Sequence, residues 1–239
     1  MTLGPTHWSR PAPAVDAAFI AAAVSWTEDA ELALLGYVWA GYDRMAAAPP
    51  AIDTRDLERS ITQHLDIAIR DSMSGDEPFY IQHEPFERET MLAPPAQPPA
   101  YDLAFVFRAD PRVMWPLEAK VLPTPSTLAD YLSDIRNEYL NCRYAPFSPS
   151  GAMLGYLLEG TAQDTLANIA RQLGVPLNPV GMSSVCPCSV SIHDRIVPPG
   201  KLYPSHFACH HIIIPFLGLR RHMHPRSATT PARAERLSG

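Results

Sequence analysis

The stretch YDLAFVFRADPRVMWPLEAKVL, residues 101–122, restricts the fold of this chain more than any other. Residues 103–107 and 113–122 are apolar runs of strand length, and Arg-Ala-Asp-Pro-Arg between them is turn chemistry. Runs that are apolar on both faces belong at the centre of a sheet covered on both sides. Yet Asp102 opens the first run, and Glu118 and Lys120 sit inside the second. A strand alternates its faces, so Glu118 and Lys120 share one side and Ala119 takes the other. A central strand rarely carries charge unless that charge is paired, metal-bound or used.

The flanking sequence places this pair of strands. In residues 53–73, Leu57, Ile61, Leu65 and Ile69 recur every four positions, which predicts a helix capped by Asp53 or Thr54. PFYIQHEPF, residues 78–86, has strand character, so a helix precedes a three-strand meander. Residues 126–141 predict a helix with Leu128, Tyr131, Leu132, Ile135 and Tyr139 on one side. Then follow a glycine-bounded apolar strand at 151–160, a helix closed by Gly174, and a buried final strand around FACHHIIIPFL. Upstream, Asp16 can cap one helix and Thr27-Glu28-Asp29 can start a second, with Leu32, Leu35, Val38 and Trp39 near helical spacing.

The expectation is an α/β fold: a mixed central β-sheet flanked by helices, with an αβββαβ core and an N-terminal helical extension. Its divisions are a helical arm at 1–50, the main domain at 51–219, and a basic tail at 220–239 whose composition predicts disorder. Proline, at 26 of 239 residues, clusters near the ends and in APPAQPP, marking loops. The net charge of −6 argues against a protein that coats nucleic acid nonspecifically, though not against an enzyme whose site gathers carboxylates. Four cysteines without a secretory leader pattern point to a reducing, cytoplasmic setting. The most apolar N-terminal stretch, residues 17–26, is too short to span a membrane.

Convergence of Asp102 with Glu118 on neighbouring strands would set two carboxylates against each other, a conflict that a divalent cation with oxygen ligands resolves. Lys120 cannot bind that cation, so its role is to orient water or to stabilise charge on a phosphate. A Glu/Lys pair on a strand also serves as a plain salt bridge, but the apolar flanks here argue for a central position. Asp, then fifteen residues, then Glu-x-Lys resembles the PD-(D/E)xK nuclease superfamily, the restriction-endonuclease-like fold. In that family a helix precedes a meander with the metal-binding Asp on its second strand and (D/E)-x-Lys on its third, and a helix and strand follow.

The resemblance covers residues 53–160. It implies Mg²⁺ or Mn²⁺ bound by Asp102 and Glu118, with Lys120 as the catalytic lysine. Many members add an acid from the first helix, for which Glu58 is the match and Glu84 the competitor. Tyr101 stands where the family often has proline. By the same resemblance the substrate is nucleic acid, DNA before RNA, cut as an endonuclease in bacterial restriction or antiphage defence. A DNA-repair nuclease and a non-catalytic nuclease-fold subunit acting through protein partners are the alternatives. A homodimer or a defence-system partner would help an acidic chain grip DNA. Arg143 and Tyr144, after the second strong helix, are candidates to clamp a phosphate and to stack or hydrogen-bond. Cys186, Cys188 and Cys209 with His193, His206, His210 and His211 hint at zinc, but Cys-x-Cys departs from the usual spacing of zinc loops.

Overall fold

A computed structural model describes residues 15–90, 98–181 and 188–217. The chain runs α1 (Ala17–Ala47), α2 (Leu57–Ser72), β1 (Phe79–His83), β2 (Leu103–Phe107) and β3 (Met114–Leu122). Next come α3 (Ala129–Asp134), continued by a π-helical turn (Ile135–Tyr139), then β4 (Ser150–Leu157) and α4 (Ala162–Leu173). It closes with β5 (Asn178–Pro179), β6 (Cys188–Asp194) and β7 (His206–Pro215). All seven strands join one sheet in the order β1-β2-β3-β4-β7-β6-β5. The first three form an antiparallel meander, β3–β4 and β4–β7 are parallel, and β6 and β5 return antiparallel. The α/β class and the mixed sheet expected from the sequence are both present.

Strand alternation divides the core between two faces. Phe105, Trp115, Leu117, Ala119 and Leu154 point to the layer of α1 and α2. Ala104, Val106, Met114, Leu122 and Met153 point to the layer of α3. Pro116 is tolerated in β3 because it pairs with Ala104 before the pairing with β4 begins at Leu117, so no ladder bond needs its missing N–H.

Two boundary expectations are corrected. Helix α2 is capped by Asp56, whose carboxylate accepts from the Arg59 N–H, and not by Asp53 or Thr54. Asp53 is instead held by the Arg55 guanidinium. The cap therefore falls directly before Leu57, the first residue of the buried stripe Leu57, Ile61, Leu65 and Ile69.

Residues 17–47 form one helix, not two. The Thr27 hydroxyl donates to the Ala23 carbonyl at 2.9 Å, four residues back, so the residue expected to start a helix is satisfied inside one. Asp16 does cap α1, accepting from the Phe19 N–H at 2.9 Å. Leu34, Leu35, Val38 and Trp39 enter the same core as α2. At the crossing, Gly41 lets the helices meet, since a Cβ there would lie 2.6 Å from Ile69 Cγ1. Gly174 closes α4 in the left-handed region at φ 73°, as the sequence predicts. The expected tail, 220–239, lies outside the described residues, as does Cys186.

Candidate active site

The site arises because β3 outruns β2. The meander register pairs Leu103 with Leu117, and β2 begins there, while β3 continues to Leu122 against β4. On the vacated side the N–H groups of Ala119 and Val121 need other acceptors. Asp102 Oδ2 accepts from the Ala119 N–H at 2.7 Å, and Glu58 Oε2 accepts from the Val121 N–H at 3.1 Å. Asp102 occupies the bend immediately before β2 rather than the strand itself. That position frees its side chain to turn onto the neighbouring strand. Glu58, in the first turn of α2, reaches the same gap from the helical layer.

Glu118 and Lys120 are in step with Met114 and Leu122, so both lie on the α3 face, and Asp102, from the bend before β2, comes close enough for its carboxyl to interact with that of Glu118. The Lys120 ammonium donates to Glu118 Oε1 at 2.9 Å and to the Ala119 carbonyl at 2.8 Å. It also lies 3.0 Å from Asp134 Oδ2 and 3.6 Å from Glu58 Oε1. Three carboxylates therefore contact one cationic side chain in a half-buried setting, and the charge of Asp102 acts on it as well.

The electrostatics follow from that imbalance. Burial pushes the Glu118 carboxyl well above the usual range, and the charge of Asp102 adds to it. Burial also raises Asp102, against the pull of the Ala119 N–H and Lys120, and raises Glu58, against the pull of Lys120. For Lys120, burial favours the neutral amine, but the carboxylates of Glu118 and Glu58 outweigh it and hold the group above its ordinary value. Lys120 is thus a fixed ammonium, suited to stabilise negative charge and unsuited to accept a proton.

The donor chemistry fits a hard cation. Glu118 Oε2 is buried without a hydrogen-bond partner beside the raised carboxyl of Asp102, an arrangement that added positive charge would relieve. Among the described residues no group of three or more His, Cys, Asp or Glu is set to enclose a metal. Two carboxylates are nonetheless enough for Mg²⁺, which keeps several waters and takes substrate phosphate oxygens.

Of the two competitors for the additional acid, Glu58 contacts Lys120. Glu84 adopts a left-handed backbone at φ 50° and turns its carboxylate to Arg59 at 3.4 Å, while its N–H donates to the Asp102 carbonyl. Arg143 is held by both oxygens of Glu138 at 2.6 and 2.7 Å. Tyr144 is buried against Tyr101 and Tyr139 and donates its O–H to the Ala100 carbonyl.

The cysteines and histidines do not converge. Cys188 and Cys209 lie in the cores on opposite faces of the sheet. His210 meets Glu31, His206 meets Asp194, and Ser191 bridges His193 and His211. Alternation sets Cys188 and Cys209 on opposite faces and likewise parts His210 from His211, and no group of three that could hold zinc forms among the described residues.

Asp134 is the contact the sequence did not disclose. It stands where α3 passes into the π-helical turn, between Tyr131 and Ile135 of the buried stripe, and only the packing of α3 on β3 brings it to Lys120. Such π turns are frequent at functional sites. Asp134→Asn is expected to loosen the ammonium and to cost up to about 1 kcal/mol of stability, as urea denaturation would read.

Behind Asp102, the Tyr101 O–H donates to Glu87 Oε2 at 2.7 Å and its oxygen accepts from the Ala145 N–H. Burial, opposed by the Tyr101 bond, raises the Glu87 carboxyl from 4.5 to about 7. The folded form binds the extra proton, so this residue makes stability fall as pH rises from 4.5 to about 7. Glu87→Gln is expected to flatten that slope, which urea midpoints measured at pH 5 and pH 8 would show.

Comparison with family models, curated proteins and solved structures finds no match to this chain. Among the described residues no helix is long and apolar enough to cross a membrane.

Proposed function

We propose that this chain is a metal-dependent nuclease of the PD-(D/E)xK, restriction-endonuclease-like type that hydrolyses DNA phosphodiester bonds. The observation that carries this reading is the convergence of Asp102, Glu118 and Lys120 on one sheet face, with Glu118 Oε2 buried and unpartnered. The helix–meander–helix–strand order from α2 to β4 supports it as well. Asp102 and Glu118 would hold Mg²⁺ or Mn²⁺, with Glu58 at the margin; the bound ion supplies polarisation of the phosphate and an acidified water.

The chain's own residues do the rest. Asp102 is oriented by the Ala119 N–H, and Glu118 by Lys120. The Lys120 ammonium lies where negative charge develops on the phosphate and can position the attacking water by donation. Asp134 and Glu58 keep that ammonium charged and in place. Arg143 is half exposed and could exchange Glu138 for a phosphate. Action as an endonuclease, in restriction or antiphage defence, rests on the family resemblance.

A second reading is a nuclease-fold subunit that acts through protein partners without catalysis. It draws on the ion pairs that already occupy Lys120. Supercoiled plasmid incubated with the full chain separates the two. The nuclease reading expects nicked and linear DNA in Mg²⁺ or Mn²⁺ and none in EDTA. Folded protein that leaves the plasmid intact in both cations, on duplex and single-stranded DNA alike, favours the second.

A further inference from the structure

On the α3 face, α3 covers β3 and β4, and among the described residues no helix covers β1 and β2. A cavity of about 370 Å³ lies there, between the segment that follows β1 and the turn between β2 and β3. Its floor is Tyr80, Val106 and Met114, one residue from each meander strand, all facing the side that bears Glu118 and Lys120. Phe86, half exposed at 49%, forms one wall, and Gln82 and Arg88 stand exposed at the mouth.

Three features give this cavity a chemistry. Phe86 and Tyr80, whose ring also carries the Arg108 guanidinium at 5.3 Å, offer flat aromatic surface at a cavity of a size that binds small ligands, and Arg108 does not line that cavity. Gln82 provides an amide that both donates and accepts, and Arg88 a cation beside it. The cavity also runs along the same strand as the acidic cluster: Met114 and Glu118 are four residues apart on β3, about 13 Å at the usual strand rise. Its wall is tied to the site, because Glu87 accepts from Tyr101, the chain neighbour of Asp102. A strand of nucleic acid with a phosphate at Lys120 would therefore carry its next few nucleotides across the cavity mouth.

We infer that this cavity is a base-recognition site, which takes one unstacked nucleobase of the substrate strand between Tyr80 and Phe86 and hydrogen-bonds its edge through Gln82. This rests on the nuclease reading and extends it to how the strand is gripped. Stacking on aromatic side chains tolerates every base, while the amide at the mouth can prefer one. The base comes either from single-stranded substrate or from a duplex that extrudes it, at the cost of unpairing.

The test uses the full-length Lys120→Ala protein and oligonucleotides carrying 2-aminopurine, or an abasic site, at successive positions. The inference expects 2-aminopurine fluorescence to be quenched at one position only. An abasic site at that position is expected to weaken binding at least about tenfold. In the Phe86→Ala and Gln82→Ala proteins, both at exposed positions, the abasic site should cost little further. Single-stranded and duplex versions separate the two sources: quenching in the duplex requires extrusion. An abasic penalty equal at all positions, or unchanged in Phe86→Ala, overturns the inference. If the wild type still cleaves DNA in that case, the nuclease reading stands without it; absence of both binding and cleavage removes both.

Discussion

Lys120→Ala is expected to lower metal-dependent DNA cleavage by about 10²–10³-fold, the usual consequence of removing one preorganised charge from a reacting phosphate or oxyanion. The ammonium is held by Glu118 Oε1 and the Ala119 carbonyl and lies 3.0 Å from Asp134 Oδ2. The same substitution leaves Glu58, Glu118, Asp102 and Asp134 without their shared counter-charge. Breaking a buried pair from one side costs about 3–5 kcal/mol, and the half-open setting of Lys120 places the loss at the lower end, near 3 kcal/mol. Protonation of the orphaned carboxyls relieves part of that loss, so the destabilisation should be greater at pH 8 than at pH 5. Lys120→Arg should recover stability better than activity, because a planar guanidinium keeps the charge but not the position of a compact ammonium. Urea denaturation and plasmid cleavage, run on the same preparations, would read both effects.

Glu118→Gln is expected to behave in the opposite sense for stability. Cleavage should fall by about 10³-fold or more, since one of the two carboxylates proposed to hold the ion is lost. Stability should hold or rise by about 1 kcal/mol, as happens when a functional site is relieved of a conflict it keeps for function. The conflict is visible in the geometry. Glu118 is 7% exposed, its Oε2 has no hydrogen-bond partner, and Asp102 repels it from the adjoining bend. The amide keeps an oxygen for the Lys120 bond and removes the repulsion. A purely structural salt bridge predicts the reverse, with stability lost on substitution and nothing else changed.

Much of this site could be read from residues 101–122, because strand alternation is a strict rule and the apolar flanks identify a central strand. Glu118 and Lys120 share a face for that reason alone. The place of Asp102 was legible to within one residue: it sits before β2, and it is that early position that lets it cap the Ala119 N–H. Whether Glu58 or Glu84 joins the cluster depends on where β2 begins and on the left-handed turn at Glu84, and neither leaves a periodic trace. Asp134 was hidden because its approach depends on how α3 packs and on the π-helical turn after it. The single helix α1 was misread for a local reason, since Thr27 followed by two acids looks like a helix start until its hydroxyl is satisfied four residues back. The cavity over β1 and β2 belongs to tertiary structure, because it lies on the α3 face where, among the described residues, no helix covers the meander.

Whether Asp102 and Glu118 together form a cation site is tested most directly by calorimetric titration of Mn²⁺ into the full chain. Saturable binding by the wild type is expected at submillimolar to low-millimolar Mn²⁺, retained in Lys120→Ala and lost in both Glu118→Gln and Asp102→Asn. Binding of equal strength in Glu118→Gln and the wild type, or no saturable binding by a folded wild type, would contradict it.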